Sequence, residues 1–261
     1  MTIVAHELKR GFTALVIWTL SLGIFIAMCI FIYPQMGNQM AEITDVFASM
    51  GSFSTAFGMD KINFGELMGF YGVECGNILG SGGALYAALL GISMLSKEEK
   101  DNTAEFLLSH PVSRSKIITE KLCAAFILIT VLNLLVMVIS RLSIVAIGET
   151  FDSEKFILLH LAFYVLQLQI CAVCFGISAF ISSGGFGLGI GIAIALYFLN
   201  IVANLTDKCE FLKYITPFAY AESSAIIQTS EIDTSYLLPG IVYGILGIAL
   251  AYFVYPRKDI S

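Results

Sequence analysis

His6-Glu7 opens an HExxH pattern, in which two imidazoles one helical turn apart hold a zinc ion and the glutamate acts as base. Position 10, where the second histidine must stand, is Arg10. Cys171 and Cys174 have the spacing of a metal or redox pair. A single CxxC inside an apolar run, with no second pair nearby, reads as packing. No Gly-Lys-Ser/Thr phosphate loop occurs, and the glycines at 185, 187, 189 and 191 never complete GxGxxG, because Ile190 or Ile192 falls where the last glycine belongs. With three scattered histidines (His6, His110, His160) and no nucleophile elbow, no catalytic residue and no metal ligand is assigned. The chain is not expected to be an enzyme, and any energy it uses must come from another subunit.

The chemistry that remains is charge. Ten of the charged side chains fall between Lys97 and Lys121, in a block flanked by sequence that could dissolve in lipid. Within it Pro111 must end one helix, and Ser113 is placed to cap the next. The pattern predicts a short helix over residues 98–108, lying across a membrane face, whose apolar end Phe106-Leu107-Leu108 a partner can bury. A loop that only fixes topology would account for the charges but not for three apolar residues ahead of a proline.

The elements that hold this block are membrane spans. Hydrophobic residues make up 57% of the 261 and charged residues 13%, and the mean hydropathy is +0.86, outside the range of a soluble domain. About 20 apolar residues cross a bilayer. Six stretches qualify, at about 11–33, 69–95, 113–147, 155–182, 186–206 and 236–255, in one transmembrane domain over residues 1–261. The fourth and fifth are joined at Ser182-Ser183-Gly184-Gly185, where the chain can reverse. The expected fold is all-α and polytopic. Placing both termini inside puts nine of the 14 Lys and Arg residues on the inner flanks, which suits the retention of basic residues in the cytosol. The chain is thus expected in the cell membrane as a multi-pass protein. Its net charge of −6 then belongs to the outer side and gives no reason to expect nucleic acid as a partner. The first span reads as a permanent anchor and the cysteines suggest no disulfide framework.

Val4, Leu8 and Phe12 lie opposite His6, Glu7, Lys9 and Arg10 in helical register, consistent with an N-terminal interfacial helix or with a simple basic flank. On the second span, Gly72, Gly76 and Gly80 recur every four residues with Ala84 and Ala88, a ridge that allows close helix packing; Gly187 and Gly191 repeat the spacing on the fifth. Opposite the ridge, Tyr71, Glu74, Asn77 and Ser81 form a polar stripe that should look inward, toward a pathway or an ion pair. Glu74 and Arg141 lie at similar depth on consecutive spans and either pair or reach the outer interface separately. His160, Tyr164, Gln167, Cys171, Cys174 and Ser178 form a seam on the fourth span, fit for a helix partner or a wet pathway. Outside, Met40, Ile43, Phe47 and Met50 suggest a helix on the outer surface.

The string Glu98-Glu99, then Thr103, Glu105, Leu107-Leu108-Ser109, Pro111-Val112-Ser113-Arg114 and Lys116, resembles the inner loop between spans two and three of type-2 ABC transporter permeases. The six-span layout and Thr216-Pro217-Phe218 before the last span are similar to that family, so the resemblance covers most of the chain. It departs at Asn102, where those permeases commonly have glycine before the threonine. The resemblance implies a permease that pairs with a second copy or a sister permease, among membrane lipid. It would dock on ATP-binding cassette subunits that hold the ATP and magnesium. Residues 98–108 would be the coupling helix, with Glu98, Glu99, Thr103, Glu105, Phe106, Leu107, Leu108, Pro111 and Arg114 contacting or shaping the ATPase joint. An exporter of an amphipathic or lipid-like molecule is expected. A non-transporting sensor or assembly module with the same fold is the alternative, and a secondary transporter a weaker one, since it should show inverted repeats and midplane charges.

Overall fold

The computed structural model describes residues 3–36, 46, 49–104, 112–182 and 185–258. Among these there is no strand, and six helices are long and apolar enough to cross a bilayer. They are α1 (Ile3–Met36), α2 (Leu67–Ser93), α3 (Arg114–Ala146), α4 (Ser153–Ser178), α5 (Phe186–Leu205) and α6 (Thr234–Val254), the last continued by a 3₁₀ turn, Tyr255–Arg257. This is an all-α polytopic membrane protein. In hydrocarbon a backbone must satisfy its own hydrogen bonds, so each long apolar run has little choice but helix.

The starts of three spans are fixed by polar caps. Ser113 Oγ accepts from the Lys116 N–H at 3.3 Å, as its position before α3 predicts. Asp152 Oδ1 accepts from the N–H groups of Glu154 and Lys155 at 3.0 and 3.2 Å to open α4, and Asp233 Oδ1 does the same for α6 with Ser235 at 2.8 Å. The amphipathic N-terminal stretch forms the first turns of α1 itself, oriented with Glu7 buried and Phe12 outward. Of the expected outer helix, Met40, Ile43 and Phe47 lie outside the described residues, as do Ser183 and Gly184 of the α4–α5 reversal; Met50 is exposed.

α4 is the central rod, packed by α2, α3 and α6, while α1 lies along α3. Two of these contacts run backbone to backbone. A Cβ on Gly176 of α4 would stand 2.3 Å from the Gly247 carbonyl oxygen of α6, and one on Gly91 of α2 would stand 2.4 Å from the Cys171 oxygen of α4. Glycine is what allows the helices so near. α5 is the opposite case, a helix with 17% of its most apolar window buried within this chain.

α2 is not a regular α-helix. Tyr71–Cys75 and Ile78–Gly82 are π-helical turns within it. A π turn bonds i to i+5, so it widens the coil and shifts the direction of every later side chain. The expected polar stripe is therefore split among neighbours. Tyr71 Oη meets His160 Nε2 of α4 at 2.8 Å, Tyr197 of α5 donates to Asn77 Oδ1 at 3.3 Å, and Ser81 donates back to the Asn77 carbonyl at 2.6 Å.

The seam on α4 resolves as helix packing. Beside the His160–Tyr71 contact, Tyr164 and Thr130 of α3 share a hydrogen bond at 2.9 Å. Gln167, fully buried, accepts from Asn133 of α3 at 2.7 Å and donates to the Leu79 carbonyl of α2 at 3.4 Å. His160, Tyr164 and Gln167 thus each face a partner on an adjoining helix, as burial in lipid demands, and Ser178 donates to the Phe175 carbonyl of its own helix at 2.6 Å.

Candidate functional site

At the end of the bundle that carries both chain ends, Lys121 is fully buried on α3. It shares a face with Ile117 and Ile118, one turn below, also 0% exposed. Its ammonium has three N–H groups and three acceptors around it: Glu98 Oε1 at 2.5 Å, Glu7 Oε1 at 3.0 Å and the Met94 carbonyl at 2.7 Å. The other oxygen of Glu7 pairs with Lys97. Two carboxylates and two ammoniums thus close a compact node joining α1, the segment after α2, and α3. Burial, with the Lys121 charge beside it, pulls the Lys97 ammonium below the ordinary lysine range despite its pairing with Glu7.

The segment that follows α2 is held on every side. Lys97–Lys100 form one helical turn. Asn102 then takes φ 54°, left-handed geometry that asparagine accepts more readily than most residues, so the turn forms without the usual glycine. Thr103 N–H donates to the Glu98 carbonyl at 2.8 Å to close it. Glu99 pairs with Lys258 at 2.7 Å, and Asp101 with Arg10. Lys258 also donates to the Ile181 carbonyl at 2.8 Å. Arg114, at the first turn of α3, donates to the carbonyls of Tyr255, Pro256 and Lys258 at 3.2, 3.2 and 2.7 Å, tying the end of α6 to the start of α3.

Of the residues that the sequence marks for the joint, Glu98, Glu99, Thr103 and Arg114 therefore meet here; Glu98, Glu99 and Arg114 are bonded to the bundle, and Thr103, exposed, bonds back to Glu98 within the segment. Glu105, Phe106, Leu107, Leu108 and Pro111 lie outside the described residues. Glu7, Lys97, Lys121 and Lys258 also meet here, although the sequence pattern marks none of them for the joint. A signal existed for one of them: Arg114 and Lys121 are seven residues apart, two turns on one helical face, at the boundary where α3 enters its charge-free run.

The glycine ridge of α2 packs within the chain. Added Cβ atoms on Gly72, Gly76 and Gly80 would meet Ile227 at 2.2 Å, Ser223 at 2.5 Å and Phe163 at 3.0 Å. Gly187 and Gly191 on α5 differ, for a Cβ on either would meet no atom of this chain within 4 Å. Identical spacing thus gives a packed seam on one helix and a bare face on the other.

Glu74 and Arg141 are not brought together. Among the described residues no ion pair joins them; Glu74 is half-buried and Arg141 is exposed on a face of α3 with Leu142 and Val145. The difference in exposure between the two side chains goes with the second alternative, in which each reaches the interface separately. Glu74→Gln and Arg141→Leu should consequently act independently. In detergent unfolding, the double variant is expected to equal the sum of the singles within about 0.5 kcal/mol. A larger departure would restore the pairing.

A family model described as ABC-2 family transporter protein matches residues 1–260 of the chain. No curated protein matches it.

Proposed function

The chain belongs to the ABC-2 family of transporter proteins, and from that premise we propose that it works as the membrane half of an ATP-driven exporter powered by separate subunits. Two such membrane halves, either copies of this chain or this chain and a sister permease, associate in the cell membrane with their termini in the cytosol. ATP-binding cassette subunits, which hold ATP and magnesium, dock on residues 98–108 and drive export of an amphipathic or lipid-like molecule.

The observation that carries this reading is the bracing of the 97–104 segment. Lys97 holds α1 through Glu7, Glu98 holds α3 through Lys121, Glu99 holds the end of α6 through Lys258, and Asp101 holds α1 through Arg10. A force applied to this segment displaces four spans together instead of bending a loop. That is what a joint between a nucleotide motor and a membrane bundle needs, since a bound nucleotide can shift the bundle only through contacts that differ between states. Phe106, Leu107 and Leu108 supply the apolar anchor and the surrounding charges a polar rim, the usual division of an interface.

Purification of the tagged chain in mild detergent from its native host tests this. An ATP-binding subunit is expected in the eluate, and Phe106→Asp should remove it without lowering the yield of folded permease. An eluate that lacks any ATP-binding subunit overturns the proposal.

A further inference from the structure

A groove of about 300 Å³ opens beside the charge node, between α1, the end of α2 and the start of α5. Arg10, Lys97 and Lys100 line its polar part, with Phe186 beside Lys100, and Trp18 and Tyr86 line its apolar part. Arg10 and Lys97 are paired with Asp101 and Glu7, which also line it. Lys100 has no carboxylate partner among the described residues; its ammonium stands 5.0 Å from the centre of the Phe186 ring at the mouth. Three cations face two carboxylates, leaving one positive charge in excess. Deeper in, Tyr86 is 2% exposed, its ring packed against Trp18 at 5.8 Å, and its hydroxyl has no hydrogen-bond partner.

From this arrangement we propose that the groove binds an anionic phospholipid of the leaflet on the side of the chain ends, its phosphate at Lys100 and Lys97 and its upper acyl chains against Trp18 and Tyr86. The dimensions fit. Arg10 and Trp18 are eight residues apart on one helix, about 12 Å at 1.5 Å per residue, which separates a headgroup from the upper acyl chain by the depth of the interfacial zone. The charge fits as well. A lipid with one net negative charge cancels the excess, whereas a zwitterionic lipid brings its own cation to a site already rich in them. Lys97, with a second ammonium at its side and little water, gains from an anion nearby. None of this depends on docking of an ATPase.

Trp18 is the chain's single tryptophan, so its fluorescence reports this groove alone. The full chain is reconstituted in phosphatidylcholine vesicles containing a rising fraction of dibrominated lipid, either phosphatidylglycerol or phosphatidylcholine. Brominated phosphatidylglycerol is expected to quench Trp18 at lower mole fraction, with a relative association constant about fivefold higher, the worth of one interfacial lysine. Lys100→Gln should bring the two curves together, and Lys208→Gln, at the other end of the bundle, should leave them apart. Glycerol phosphate in the buffer should change nothing. Coincident curves in the parent chain, a preference that survives Lys100→Gln, or its loss on adding glycerol phosphate, which would mark a site for a soluble anion, each overturn the proposal.

Discussion

Lys121→Met should cost about 3–5 kcal/mol of stability, seen as a sharp loss of monodisperse protein in detergent and a large fall in melting temperature. The reason lies in what the substitution leaves behind. Lys121 has no exposed surface, and the side chains it neutralises are nearly as enclosed, Glu7 at 1% and Glu98 at 9%. Glu7 keeps Lys97, but Glu98 loses the ion-pair partner it has among the described residues, and the Met94 carbonyl its donor. A carboxylate in that position must either take up a proton or draw water into the bundle. Removing the second charge as well should reverse most of the loss, because a buried pair replaced by neutral groups of similar volume is often close to neutral in stability. Glu98→Gln with Lys121→Met is thus expected to fold. If the segment after α2 transmits motion through this bond, the rescued double variant should still bind its ATPase yet transport poorly. A single Lys121→Met variant that melts with the parent protein would show that the node does not stabilise the fold.

Gly176→Val is the second change with a large expected effect. The added Cβ meets the Gly247 oxygen at 2.3 Å and the Gly247 Cα at 2.7 Å, and neither atom can rotate away. The α4–α6 contact must open, and because α4 is the central rod the strain reaches the α2 and α3 contacts too. Overpacking of this kind costs about 1–3 kcal/mol where side chains can yield, so a loss at or above the upper end is expected where only backbone is met. Gly187→Ala and Gly191→Ala are the internal comparison. Their surroundings within the chain are empty, so each should be neutral or gain roughly 0.5–1 kcal/mol from the lower helical cost of alanine. Equal effects at Gly176 and Gly187 in thermal unfolding would contradict the packing described.

These two predictions mark where the sequence is readable. The six rods, the Ser113 cap and the tolerance of Asn102 for left-handed geometry are legible because each depends on a local property: an uncharged run, a hydroxyl before a helix, a side chain that suits positive φ. The node is not local. Its bonds join residues 7, 98 and 121, and nothing in the order of residues states that α1 and α3 lie side by side. The partners of the polar stripe on α2 are hidden for a different reason. Spacing translates to direction only at 3.6 residues per turn, and two π turns break that rule between Tyr71 and Gly82. Gly187 and Gly191 show the limit of small-residue patterns. Spacing records that another helix can approach, and it is silent on whether that helix belongs to the same chain.

The three carbonyls gathered by Arg114 set an order on biogenesis. Arg114 and Glu99 are translated first, and their partners from Tyr255 to Lys258 follow on the order of 10 s later at ordinary elongation speeds. During that interval the segment after α2 and the first turn of α3 lack these bonds. On the function proposed above, a nascent chain that has reached α5 and not yet α6 would offer an ATPase a loosely held seat.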